Sequence, residues 1–198
     1  MKKYLLLLAG IAAACHQSGP AREQSAKDST PVAHTITDTV IRAAAFQAAG
    51  LVGDYNGDGH TEYAEAILVK QGHGNPVEDG VPDEYAVRFS DTTLPLIPIG
   101  CCEARLVNEG DLNGDHRDEL SVYQAPENGN THSFTTWTFQ DHQWKHLFAP
   151  FLIPGADYQP TDDDLQKRVF REKDTLYFMQ EDVTDETFPL LKQKVTFP

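Results

Sequence analysis

Short runs of this chain alternate between apolar and polar residues with a period of two. Tyr63-Ala64-Glu65-Ala66-Ile67-Leu68-Val69, Tyr85-Ala86-Val87-Arg88-Phe89 and Leu120-Ser121-Val122-Tyr123 read as strands, because an extended chain points successive side chains to opposite faces. Phe134 to Phe139, a turn at Gln140 to Gln143, and Trp144 to Phe148 form a hairpin pattern. A second hairpin runs from Arg168–Arg171 through Glu172-Lys173-Asp174 into Leu176–Met179, and Leu191 to Phe197 reads as a further strand. Gly and Pro clusters at 72–82 and 154–160 separate these runs. One stretch, Val40 to Ala48, has a helical look and predicts a short helix or an opening strand. The expected class is mainly β.

One phrase occurs twice. Gly53-Asp54-Tyr55-Asn56-Gly57-Asp58 runs on to Glu62, and Gly110-Asp111-Leu112-Asn113-Gly114-Asp115 runs on to Glu119, in one register 57 positions apart. Each copy puts oxygen side chains at loop positions 1, 3, 5 and 9, and a backbone carbonyl at position 7 fills the gap around a hard cation. The ligand positions hold no sulfur and no imidazole, a donor set that favours Ca²⁺ over zinc or copper. Position 6 is Gly59 in the first loop and His116 in the second. A turn with positive φ there is harder for His, so the second site is expected to be the weaker.

Two other readings stay open. Asn-Gly and Asp-Gly are turn formers in their own right. An EF-hand or dockerin-like loop would use Glu65 at position 12 of the first copy, but the second copy has Val122 there and both flanks lack helical character.

The duplicated phrase, each copy leading into strand-like sequence, resembles the FG-GAP/VCBS repeats of integrin-alpha-type β-propellers. The resemblance covers Leu51 to Val69 and Val107 to Tyr123. It implies a calcium site at Asp54, Asn56, Asp58 and Glu62 with the His60 carbonyl, and another at Asp111, Asn113, Asp115 and Glu119 with the Arg117 carbonyl. It also implies propeller-like blades. At about 40–50 residues per blade this chain makes about three, too few for a closed ring. The expected fold is therefore an incomplete set of blades or a compact β-sandwich with two calcium loops. No third loop is evident; Asp157 to Thr161 is at best a decayed one.

The beginning of the chain carries a targeting pattern. Lys2 and Lys3 precede the apolar Tyr4–Ala9, and Ala12-Ala13-Ala14 precede Cys15. This resembles a bacterial lipoprotein lipobox, which implies that 1–14 is a signal peptide and that Cys15 is acylated. An ordinary signal peptide cut near Ala14 is the alternative. Residues 15–35 hold almost no large apolar side chain and read as a flexible tether, leaving 36–198 as a single β domain. The resemblance places the protein in the bacterial cell envelope, lipid-anchored, periplasmic or at the outer membrane and surface.

The net charge is −14, which argues against nucleic acid as a partner and suits a domain that holds cations. Cys101 and Cys102 are adjacent and are expected to be packed thiols or a vicinal disulfide. His142 and His146 fall on a turn and a strand, where a spacing of four does not bring them together. Asp162-Asp163-Asp164 reads as an acidic loop or a helix start, and Asp118 is a candidate general acid. The chain has no phosphate-binding Gly-Lys loop, zincin motif or nucleophile elbow. A non-enzymatic calcium-stabilised module facing a protein or glycan is the expected function. The alternative is a cell-envelope hydrolase with a site built from loops such as 72–82.

Overall fold

The computed structural model describes residues 50–75, 78–155 and 159–196. The helix-or-strand expectation at 40–48, the signal and tether segments with Cys15, and Asp157-Tyr158 lie outside these residues. Among the described residues, twelve strands form three antiparallel sheets whose neighbouring strands follow chain order, except that the ninth pairs with the seventh. The first holds β1 (Leu51–Gly53), β2 (Glu62–Lys70), β3 (Glu84–Phe89) and β4 (Ile97–Gly100). The second holds β5 (Ala104–Gly110), β6 (Glu119–Gln124), β7 (Thr131–Gln140) and β8 (Gln143–His146), with β9 (Phe151–Pro154) also paired to β7. After a one-turn helix, α1 (Asp162–Leu165), the third sheet holds β10 (Val169–Glu172), β11 (Thr175–Glu181) and β12 (Leu190–Lys194). The mainly β expectation holds. The sheets form layers of a sandwich, and none of them closes into a barrel.

The middle sheet is the shared wall. In β6 the alternating side chains are buried on both faces. Leu120 and Val122 pack with Tyr55, Val87, Phe89 and Ile97 of the first sheet and its loops. Tyr123 faces the other way, into a cluster with Phe134, Phe151, Leu165, Leu176 and Val195. Rings supply much of this packing, including a Phe89–Trp144 stack at 4.9 Å and a Phe151–Phe178 stack at 4.9 Å. Each fully buried Leu or Phe contributes about 1.5–3 kcal/mol, so the two clusters hold the three layers together.

Four strands escaped the alternation pattern: β1 and β5, which lead into the two loops, and β4 and β9. β4 contains Pro98, which cannot donate to a ladder, but β4 lies at a sheet edge where that is tolerated. β8 and β9 share one edge of the long β7: β8 takes Trp137–Gln140 and β9 takes Thr131–Phe134. The first predicted hairpin is present, turning tightly at Asp141-His142 with φ of 53° and 60°, the left-handed pair that suits a two-residue hairpin. The second turns at Lys173-Asp174. The acidic run begins α1, where Thr161 and Asp164 form a reciprocal capping box. Arg105 secures α1 to β5 by an ion pair with Asp162 and a bond to the Pro160 carbonyl at 2.6 Å. Cys101 and Cys102 are not free thiols; they form a vicinal disulfide.

Candidate metal centre

The duplicated phrase folds twice into the same object. Each copy is the loop of a hairpin, β1–β2 and β5–β6, with Gly53 opposite Glu62 and Gly110 opposite Glu119. In the first loop Asp54 Oδ1 accepts from the amides of Gly57 (2.8 Å) and Asp58 (3.1 Å), and Oδ2 from Gly59 (2.9 Å). In the second, Asp111 Oδ1 accepts from Gly114 (2.6 Å) and Asp115 (3.1 Å), and Oδ2 from His116 (3.0 Å). Asn56 Oδ1 takes the Asp58 amide and Asn113 Oδ1 the Asp115 amide, both at 2.8 Å. Asp58 takes the His60 amide and Asp115 the Arg117 amide, at 2.8 and 3.0 Å. Tyr55 donates to Glu62 Oε2 at 2.8 Å, and Leu112 to Glu119 Oε2 at 2.7 Å. A short carboxylate that accepts nearby amides is what bends the chain here. Positive φ values fall at Gly57 (76°), Gly59 (82°), Gly114 (85°) and His116 (67°), and in the second copy also at Gly110 (66°).

The loops differ in what their acids do next. In the first, Asp54, Asp58 and Glu62 each present an oxygen within 4.8 Å of the others. Glu62 is 4% exposed. Its burial raises its carboxyl above the ordinary range, and the charges of Asp54 and Asp58 push the same way, against the lowering by the Tyr55 and Asn56 amides. Three converging carboxylates repel one another, and an oxygen-coordinated cation relieves that repulsion. The Asp54, Asp58 and Glu62 carboxylates together could hold a metal ion. In the second loop Glu119 Oε1 is taken by Asn113 Nδ2 at 2.7 Å, and Asp115 Oδ2 lies 3.4 Å from Arg117 Nη1. Those donors offset part of the charge, as Asn56 Nδ2 and His60 Nδ1 do for Asp58 in the first loop, each 3.1 Å from one of its oxygens. Among the described residues only the first loop brings three acids together.

Polar residues beyond the repeated ligand side chains also shape the two loops. Asp91 accepts from Asn56 Nδ2 at 3.0 Å, across 35 residues of sequence. Asn108 and Asp118 connect the two loops. Arg117 packs on the first loop: a Cβ placed on Gly57 would lie 2.8 Å from its Cγ. Arg171 of β10 stands over Gly114 in the same manner, with its Nη1 3.1 Å from such a Cβ. Behind the second loop, Glu119 is fully buried and its carboxyl is raised to about 7, mainly by desolvation. Glu109 is raised to about 8 for the same reason. The residue is half-buried as a whole, but its two oxygens are shut off from solvent without a well-formed hydrogen bond. The nearby Ser121 hydroxyl, bonded to Thr136 at 2.8 Å, offsets the rise only in part.

The remaining candidates take structural places. Glu65, the would-be twelfth ligand of an EF-hand, lies on β2 and pairs with Arg88 at 2.9 Å. Both loops join strands, whereas an EF-hand loop joins helices. His142 lies in the tight turn, and His146 stands edge-on to Trp137 at 4.2 Å. Trp144 donates to the Pro95 carbonyl at 2.9 Å. Asp118 Oδ2 accepts from the Asp54 amide and from Asn108 Nδ2, both at 3.0 Å. Beside the segment 72–82 there is a cavity of about 460 Å³ lined by His73, Tyr85, Cys102, Glu103 and Glu127 among others.

Comparison of the chain with protein-family models, with curated proteins and with solved structures gave no match.

Proposed function

We propose that this protein is a membrane-tethered calcium-binding β module of the bacterial cell envelope with a binding or structural role rather than a catalytic one. The observation that carries the reading is the convergence of Asp54, Asp58 and Glu62 in a loop whose backbone bends are repeated 57 residues later. The first loop is the stronger site; Asp111, Asn113, Asp115 and Glu119 form a weaker one. Calcium joins position 1 of the loop to position 9 on β2, so it fastens the hairpin and stabilises the fold by mass action. The lipobox-like start supports acylation at Cys15, with the tether setting the module off the membrane. A protein or glycan is the class of partner that suits a negatively charged, anchored module.

Calcium titration of residues 36–198 tests the site. Heat saturating at a Kd of about 10⁻⁴–10⁻³ M is expected, the range of extracellular modules. No heat up to about ten times that range overturns it. Exchange of Cys15 for Ser tests the anchor: it is expected to block lipidated processing, and unchanged membrane fractionation and mature mass would refute it.

A further inference from the structure

The two loops touch through Asp118, which sits at position 8 of the second loop where the first has Thr61. Its amide donates to the Asp54 carbonyl at 2.8 Å. Its Oδ2 accepts from the Asp54 amide at 3.0 Å. One residue of the second loop therefore grips both polar groups of the peptide backbone at position 1 of the first. The same Oδ2 accepts from Asn108 Nδ2 at 3.0 Å, and Asn108 Nδ2 also donates to the Val52 carbonyl at 2.7 Å. Arg117 Nε donates to the Asn56 carbonyl at 3.0 Å. The backbone of Val52, Asp54 and Asn56 is thus held by residues 56 to 64 positions further along the chain.

We propose that Asp118 is the positioning residue of the calcium site in the first loop. The inference rests on the reading of that loop as a calcium site and adds to it. Asp54 supplies the position-1 ligand, and its carboxylate also organises the turn through the amides of Gly57, Asp58 and Gly59. A shift of its backbone moves the ligand and those amides together. Asp118 carries an acid whose charge adds to burial, the larger cause, in holding the Tyr55 hydroxyl neutral. As a bare charge it could attract the cation from a distance. As a hydrogen-bond acceptor it fixes Asp54. The geometry assigns it the second role, and the two can be separated. Asn at 118 keeps an acceptor oxygen for Asp54 and Asn108 and drops the charge; Ala removes both.

The test is calcium calorimetry on the wild type, Asp118→Ala, Asp118→Asn and Asn108→Ala, with the first-loop heat identified as that lost in Asp58→Ala. Thermal melts in chelator establish that each variant is folded. Loss of a hydrogen bond to a charged group is expected to weaken the first-loop affinity about 10- to 100-fold in Asp118→Ala. Asp118→Asn is expected to bind close to wild type, and Asn108→Ala to lose several-fold. A folded Asp118→Ala with wild-type affinity overturns the proposal. So does Asp118→Asn as weak as Asp118→Ala, since the effect is then one of charge. If Asp118→Ala does not fold, Asn108→Ala decides: unchanged affinity overturns the proposal and weakened affinity supports it. A wild type with no calcium heat, or one indifferent to Asp58→Ala, refutes the site itself and this inference with it.

Discussion

His116 holds at φ 67° the backbone place that Gly59 holds at φ 82° in the first loop. Both amides point to the second oxygen of the leading aspartate, at 3.0 and 2.9 Å. The loops share the bend, but only one has the residue that adopts it freely. A side chain in the left-handed region costs about 1–2 kcal/mol, partly offset by the greater entropy that Gly loses on folding. His116→Gly is therefore expected to raise stability by up to about 1 kcal/mol and to tighten the second loop for calcium. Gly59→Ala is expected to lose about 1 kcal/mol through φ alone, since nothing lies within 4 Å of the added Cβ. Chemical denaturation of the two variants in chelator measures both.

The same comparison shows what the sequence made legible. Asp, Asn, Gly and Glu at fixed offsets specify a local hydrogen-bond pattern, so both loops and the strain at His116 could be read from ten residues. The hairpins at Asp141-His142 and Lys173-Asp174 were legible for the same local reason. Asp91, Asn108 and Asp118 were not legible as parts of the site. Their partners lie 35 to 64 residues away, across strands whose layering no local pattern encodes. β4 was hidden by Pro98. The disulfide was left undecided because adjacent cysteines look the same whether they are packed or bonded.

Glu62→Gln is expected to change sign with calcium. In chelator it removes a buried charge from beside Asp54 and Asp58 while keeping an acceptor for the Tyr55 amide, so the melting temperature should hold or rise. With saturating calcium it removes a ligand, so the melting temperature should fall below wild type. Asp54→Ala differs: it strands three amides and should lower stability in both conditions. Parallel melts with and without calcium check the pair.

Acid is expected to stabilise the calcium-free domain. Burial raises Glu109 to about 8 and Glu119 to about 7, from an ordinary value of 4.5. Between those limits the folded state holds protons that the unfolded state has released. The contribution of these groups is complete below about pH 4.5 and is lost as pH rises through 7 and 8. Glu109→Gln should flatten this decline. Urea midpoints in chelator from pH 5 to 8.5 provide the measurement.

Arg168 and Glu181 form an ion pair at 2.6 Å with side chains only 7% and 11% exposed. Removing one partner leaves the other charge buried. Arg168→Met is expected to cost about 3–5 kcal/mol, and the double variant Arg168→Met, Glu181→Leu to recover most of it. Denaturation of the single and double variants forms the cycle that tests this.

The glycine at position 4 of each loop is a socket, and the arginine that fills it comes from the sheet that follows. Gly57 receives Arg117, and Gly114 receives Arg171. The three layers consequently have a head and a tail: the first is clasped by the second, and the second by the third. The hairpin of the third layer turns at Lys173-Asp174 and has no such glycine to offer. A fourth layer appended by design would find nothing there to hold. Lengthening the array calls for two changes together, a glycine-bearing loop between β10 and β11 and an arginine in the layer that comes after it.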